Sequence, residues 1–477
     1  MTKIVFGTDG WRGIIAEDFT FDNVKAVAQA LADYLISQNL HEKGLVVGYD
    51  TRFMSDRFAR VVAEVAASNN MRVLLSSKPV PTPIVSFTVR NQKAGGGVVV
   101  TASHNPPIYN GVKFKLEHGG PAPTEITKQI ESFLFKNPPK HNESKIKKNI
   151  ERADFEEDYV EHIEGLVDLQ LIGKTGFKIV FDAMHGAGNR IIERLLSQTK
   201  CEVRTIRAEP NPTFGGIKPE PIAQNLKPLM DAVVEQRADV GFATDGDADR
   251  VGVVSAKGKF VTPHEVFALL LLHLYKNRGW RGGVVKTASV CSIVPKMAEK
   301  FGLPVYEVAV GFKNVCEIML KEDILIGGEE SSGIGFKNHV PERDGILSSL
   351  FVLEFMAMEG KGIDQLLAEL REEFGELHYD RIDLPYDKPD RMELIHRLQR
   401  QTINRIAGLP IEKTSTYMGV EAVNGIKFHF ADKRSWLLIR ASETEPLIRI
   451  YSESTSDKIV EQILNQGLEL VKTVSKS

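Results

Sequence analysis

Short β-branched runs alternate with helical patterns along most of this chain. That alternation limits the fold more than any other feature, because strands separated by helices assemble into α/β layers. Residues 44–48 (Gly-Leu-Val-Val-Gly), 72–75 and 95–101 read as strands, and the helical patterns 23–36 and 58–68 precede the first two. A second block reads as strand 177–181, helix 188–197 and strands 240–243 and 251–255. A third reads as helix 263–275, strands 283–286, 305–308 and 324–326, and helices 345–358 and 362–374. The last hundred residues differ: strands 381–384, 425–430, 435–440 and 448–452 with helices 392–407 and 458–472 make a small α+β module. The polar, lysine-rich stretch 136–152, with Pro138-Pro139, reads as a linker or surface excursion. The expected domains are therefore 1–150, 151–262 and 263–375, each α/β, and 376–477, α+β. A chain of 477 residues accommodates that number.

Charge and cysteine usage exclude several functions. The 60 basic and 63 acidic residues nearly cancel, so the strong bulk field of a nucleic-acid binder is absent. Cys201, Cys291 and Cys316 are odd in number and without metal-like spacing, which fits a reducing compartment. The opening residues lack a signal-peptide core, and the longest apolar run, near 266–272, is too short to span a bilayer. The expectation is a cytoplasmic protein with no nucleic-acid or membrane partner, and the Asn142-Glu-Ser144 sequon is read as chance.

Four segments carry chemistry. Thr101-Ala-Ser103-His104-Asn105-Pro106 follows the strand ending near residue 100, which predicts an exposed turn at a strand's C-terminal end, where α/β folds bind ligands. The competing reading is a turn whose Ser and Asn side chains bond their own backbone. No Gly-x-Ser-x-Gly elbow surrounds Ser103, and adjacent His104 is poorly placed to serve as its base. Asp245-Gly-Asp247-Ala-Asp249-Arg250 sets three carboxylates at alternate positions of an extended segment, where they can converge on one hard cation, Mg²⁺ or Ca²⁺; the competing reading is a solvated acidic turn. An EF-hand is excluded by Arg250 and Ala256 at the positions that need glycine and glutamate.

Gly327-Gly-Glu329-Glu330-Ser331-Ser-Gly333 brackets acids and hydroxyls with glycines, which suits sugar hydroxyls or a plain surface turn. In Arg440-Ala-Ser442-Glu443-Thr444-Glu445-Pro446, with Arg449 beyond, Arg440, Ser442 and Thr444 share one parity. An extended chain would aim them together as a phosphate cradle and turn Glu443 and Glu445 away. Arg12 lies in a glycine-rich turn, Lys113 follows Ser103 closely, and Lys313 reads as a surface lysine. A nucleophile, a cation site, hydroxyl-binding acids and a phosphate cradle, one in each block, together point to phosphoryl transfer on a sugar phosphate. No P-loop or kinase glycine loop is present, so ATP is not the donor these motifs indicate.

Together with Phe6-Gly-Thr-Asp-Gly-Trp-Arg12-Gly13, these segments resemble the α-D-phosphohexomutase family over essentially the whole chain. The resemblance implies three α/β domains of similar topology and a smaller C-terminal α+β domain around a central cleft. It implies a phosphoserine at Ser103 and Mg²⁺ held by Asp245, Asp247 and Asp249 together with the Ser103 phosphate. Sugar contacts map onto Glu329 and Ser331, and phosphate contacts onto Arg440, Ser442 and Thr444, with Arg449 beyond. Lys113, Arg12, His104 and Arg250 resemble the proton-shuttling and charge-stabilising positions. The implied reaction interconverts hexose 1- and 6-phosphates through an enzyme-bound 1,6-bisphosphate, which also serves as activator. Glucose is preferred, with mannose as a second substrate, and the glucosamine branch fits the Ser442–Glu445 segment less well. A hinge near 375–378 is expected to let the last domain open. Glu443 departs from the family pattern, which carries glycine or asparagine there in many members. The alternatives are a hexose-1,6-bisphosphate synthase fed by another sugar bisphosphate, and a non-catalytic sugar-phosphate sensor. The oligomer expected is a monomer or homodimer.

Overall fold

The computed structural model describes residues 4–475 apart from Thr8, Glu421 and Thr444. Three parallel-core sheets follow one another along the chain, and an antiparallel sheet closes it. In the first sheet, Leu45–Tyr49 lies between Val73–Ser76 and Gly96–Val100, both parallel to it, and Tyr109–Lys115 returns antiparallel beside Gly96–Val100. The second sheet repeats the pattern: Lys178–Asp182 between Glu202–Ile206 and Val240–Thr244, with Val251–Ser255 returning. The third does so again: Gly283–Thr287 between Val305–Val308 and Ile324–Gly328, with Ile334–Phe336 returning. The expected class is found: three α/β domains of one core topology and a C-terminal antiparallel sheet domain.

The central strands are buried along their whole length because helices cover both faces, which is why they read as unbroken Val/Ile/Gly runs. Helix Gly345–Glu359 is buried from Gly345 to Met356 and therefore apolar on every side. Asp344 caps it by accepting from the Ile346 and Leu347 amides, and Gly360, in the left-handed region at φ +63°, ends it.

One apolar core runs through the first three domains. It joins Val46 and Ile84 to Phe181 and Phe242, to Phe267 and Phe351, and reaches Trp436 and Tyr451 of the last domain. The last domain also has its own core, in which helices Arg391–Gln399 and Asp457–Val474 pack on the antiparallel sheet through Leu394, Leu398, Ile463 and Leu464.

Two local expectations change. The stretch 136–152 is in part regular: Glu143–Asn149 is helical, and Ile150–Ala153 adds a strand parallel to Val73–Ser76. Its charged composition disguised an edge strand, since a strand exposed on one side tolerates lysine and glutamate. The helix expected over 392–407 spans Arg391–Gln399, and Arg405–Ile406 is instead a strand paired with Leu409–Met418, which in turn pairs with Val423–Phe430. No helix among the described residues is long and apolar enough to cross a membrane.

Candidate active site

The repeated topology places the chemistry. In each α/β domain the turn between the third parallel strand and the returning antiparallel strand carries one motif. Ser103 lies between Gly96–Val100 and Tyr109–Lys115, the three aspartates between Val240–Thr244 and Val251–Ser255, and Glu329 with Ser331 between Ile324–Gly328 and Ile334–Phe336. The fourth motif is the turn between Trp436–Ala441 and Leu447–Ser454. Residues of all four domains, Arg12, His104, Arg250, Glu329, Ser331, Arg440 and Arg449 among them, line one cleft.

Ser103 is buried, not exposed as expected, at 1% of its full surface. The aspartate turn covers it: a Cβ on Gly246 would sit 2.5 Å from the Ser103 carbonyl oxygen, so only glycine allows this approach. The serine holds a left-handed φ of +51°, and its Oγ donates to Asp245 Oδ2 at 2.9 Å. The same backbone twist brings His104 Nδ1 to 3.4 Å from Oγ, closer than ordinary neighbouring side chains. Burial and the surrounding Arg250, Arg12 and Arg449 push the His104 pKa well below its usual value, so its imidazole is neutral.

The three aspartates are fully buried, and one oxygen of each lies within 4.8 Å of the others. Asp247 and Asp249 are each fixed through one oxygen, Asp245 through both. Asp245 Oδ1 accepts from the amides of Asp249 and Arg250 at 3.0 and 3.2 Å. Asp247 Oδ2 accepts from Lys113 and Thr82 at 2.8 and 2.6 Å, and Asp249 Oδ2 from Lys113 at 3.0 Å and pairs with Arg343 at 2.7 Å. Asp247 Oδ1 and Asp249 Oδ1 are buried with no hydrogen-bond partner. Two orphaned carboxylate oxygens beside Asp245 Oδ2 and a serine Oγ form a donor set of hard oxygens, which fits a divalent cation such as Mg²⁺. Burial, followed by the charges of Asp249 and Asp247, pushes the Asp245 carboxyl well above its ordinary range. Asp247 goes the other way: Lys113 and Thr82 outweigh the upward push of burial. Lys113, buried itself, is held charged against the desolvation cost by Asp247, Asp249 and Asp9.

Arg12 Nη1 donates to Asn105 Oδ1 at 2.6 Å, and Arg250 Nη1 lies 3.6 Å from Glu220 Oε1. Glu329 accepts from the Gly311 amide at 3.0 Å, and burial, partly offset by Arg343, raises its pKa to about 7. Arg440 Nε is buried without a partner, which suits a guanidinium awaiting an anion. Ser442 is buried and its Oγ accepts from the Glu445 amide at 3.2 Å. Thr444, expected beside them, lies outside the described residues.

The parity argument for this last loop fails. The strand ends at Ala441, and the turn beyond it brings Glu443 and Glu445 to the cleft wall. Glu445 pairs with Arg449 and lies 3.6 Å from Lys218 of the second domain. Glu443 accepts from the Val420 amide at 2.6 Å and from Asn424 Nδ2 at 3.1 Å, so it braces the turn between two strands.

Sequence reasoning missed three charged groups here. Asp9 stands in the glycine-rich turn next to Arg12 and bridges Lys113 at 2.8 Å and Arg343 at 2.6 Å. Arg343 precedes the cap of the long helix, and the Arg-Asp-Gly junction ahead of an apolar run was its only local signal. Arg381 reaches the cleft from the edge strand His378–Pro385, with nothing local to distinguish it from a solvated arginine. Lys313, read as a surface lysine, is buried and donates to Thr124 Oγ1 at 2.7 Å.

The four domains match, in order, the family models described as phosphoglucomutase/phosphomannomutase alpha/beta/alpha domain I (residues 3–141), domain II (157–258), domain III (262–374) and C-terminal domain (405–469). A phosphoglucomutase/phosphomannomutase of Thermococcus kodakarensis is 30% identical over 475 residues, covering 99% of both chains. A phosphoglucosamine mutase of Carboxydothermus hydrogenoformans is 28% identical, covering 98% of this chain and 99% of that one. A crystal structure described as a "putative phosphomannomutase from Thermus Thermophilus" superposes with a TM-score of 0.84 at 37% identity, covering 99% of each chain. The fold and the cleft are those of a phosphosugar-isomerising enzyme. The chain belongs to the α-D-phosphohexomutase family of intramolecular phosphotransferases.

Proposed function

We propose that this enzyme interconverts hexose 1-phosphate and hexose 6-phosphate, glucose first and mannose second, through a phosphoserine at Ser103. One observation carries the reading: Ser103 Oγ sits 2.9 Å from Asp245 Oδ2, beside the orphaned oxygens of Asp247 and Asp249, and the adjoining His104 and Arg250 line the same cleft as Arg440, whose Nε has no partner.

Asp245, Asp247 and Asp249 would hold Mg²⁺, which supplies charge neutralisation on the phosphoryl oxygens. The chain's own groups do the rest. Phospho-Ser103 donates its phosphoryl group to the free hydroxyl of the bound sugar phosphate. Lys113, Arg12 and Arg250 bring positive charge to the transferring group, and neutral His104 is able to accept a proton beside Oγ. Glu329 and Ser331 bind sugar hydroxyls, while Arg440, Ser442, Thr444 and Arg449 hold the phosphate that is not reacting. The 1,6-bisphosphate turns end for end and returns its other phosphate to Ser103. Gly375, at φ +95° with open space around it, is the point at which the last domain swings to allow the turn.

Relatives of similar identity carry gluco-, manno- and glucosamine names, so glucosamine phosphate belongs in the substrate panel beside glucose and mannose phosphates. The test is intact mass and peptide mapping after incubation with glucose 1,6-bisphosphate, followed by turnover on that panel. One phosphoryl group on Ser103, and its absence with loss of turnover in Ser103→Ala, is the expected result. Turnover that survives Ser103→Ala would overturn the phosphoserine route.

A further inference from the structure

Arg52 has no part in the steps above, yet it touches the nucleophile turn more extensively than any residue that does. Its side chain is wholly buried. Its Nη2 donates to the carbonyl oxygens of Ser103 and Asn105 at 2.6 and 2.7 Å, and its Nη1 to those of Pro106 and Tyr109 at 2.9 and 3.0 Å. One guanidinium thus gathers four carbonyls of a single turn.

The turn needs such a fastening. Ser103 holds a left-handed φ that a non-glycine residue adopts only when its surroundings impose it. Few backbone bonds brace the segment internally: the Asn105 amide to Ala102 O and the Tyr109 amide to Pro106 O, each at 3.0 Å.

Arg52 is itself fixed. Asp50, at the end of the central strand Leu45–Tyr49, places Oδ2 3.2 Å from Arg52 Nε and accepts from the Arg52 amide at 2.9 Å. The same carboxylate accepts from Thr101 Oγ1 at 2.6 Å, and Thr101 Oγ1 accepts from the Ser103 amide at 2.9 Å. Asp50 therefore reaches Ser103 from both sides, through Arg52 to its carbonyl and through Thr101 to its amide. The opposite face of the guanidinium lies 4.9 Å from the Phe214 ring centroid, and neighbouring Thr51 donates to the His185 carbonyl at 2.7 Å, both in the second domain. The clamp is thus tied to the domain that carries the aspartates.

We propose that Arg52, held by Asp50, is the positioning residue that sets Ser103 against the aspartate turn for phosphoryl transfer. This rests on the phosphoserine reading of Ser103. Lysine supplies one ammonium where the arginine fork supplies several directed donors, so it cannot bind four carbonyls arranged around a plane.

The test compares Arg52→Lys with the wild-type protein in two readouts. Hydrogen exchange at residues 103–110 is expected to quicken by about tenfold or more while protection in the sheet strands holds. In steady-state turnover, kcat is expected to fall on the order of 100-fold with KM for hexose phosphate within about threefold, the signature of a misplaced reacting atom. Unchanged exchange at 103–110, or unchanged kcat per folded enzyme, would overturn the proposal. If Arg52→Lys loses protection throughout, Asp50→Asn, which keeps the shape and removes the pinning charge, is judged by the same two readouts. Should the wild type take no phosphate on Ser103, the phosphoserine reading falls, and the exchange measurement alone still decides whether Arg52 fastens the turn.

Discussion

At Asp247 one carboxylate oxygen is committed to Lys113 and Thr82 while the other is buried without a partner. Asp247→Asn keeps the shape and lowers the charge, so Mg²⁺ affinity is expected to drop on the order of 100-fold. Titration calorimetry checks this apart from activity, as does loss of the Mg²⁺-dependent rise in melting temperature. Glu329 gives a pH prediction. Its folded pKa of about 7 stands above the ordinary 4.5, so between those values the unfolded chain has released the proton that the folded protein keeps. Stability attributable to this group therefore falls as pH rises through that window and is level above it. Glu329→Gln removes the effect, so its unfolding free energy relative to wild type should increase by roughly 2 kcal/mol between pH 5.5 and 8. Denaturant unfolding at both pH values measures it, and a constant difference would contradict the assigned environment.

The turns illustrate what is legible in a sequence. The aspartate turn could be read because three closely spaced carboxylates have few uses other than a cation, although the chain gathers them by turning at Ala248, φ +57°, and not by staying extended. The turn after Arg440 was read wrongly in direction, because parity holds only while the strand continues, and this one stops at Ala441. Asp9 and Arg343 went unseen for a different reason: they pair with one another across two domains, and such a contact leaves no local pattern. The approach of two turns also yields a prediction. A methyl at Gly246 would meet the Ser103 backbone at 2.5 Å, and backbone yields less readily than a side-chain tip. Gly246→Ala should therefore shift the nucleophile and lower kcat by about tenfold or more, while far-ultraviolet circular dichroism stays that of the wild type.

Across the whole molecule, one core joins the first three domains and reaches the last, while the first and last domains each keep a further core of their own. The link to the last domain is polar as well as apolar. Glu307 accepts from Tyr417 and lies 3.4 Å from Lys427, which also donates to the Ala288 carbonyl at 2.7 Å, while Glu453 accepts from the Ser292 amide at 2.8 Å. Glu307→Gln leaves Lys286 and Lys427 buried without their shared counter-charge. The last domain is expected to open more often, visible as a larger radius of gyration in solution scattering and a several-fold faster escape of bisphosphate into the medium. An unchanged scattering profile would refute this role for the contact. The equal placement of the three α/β turns has a consequence for heredity. Each motif is a short turn that joins two directly paired strands, so its length also fixes their register. Residues 329–333 could therefore be exchanged between relatives that handle different sugars only for a turn of the same length, so a lineage that changes its diet this way is held to substitution and barred from insertion.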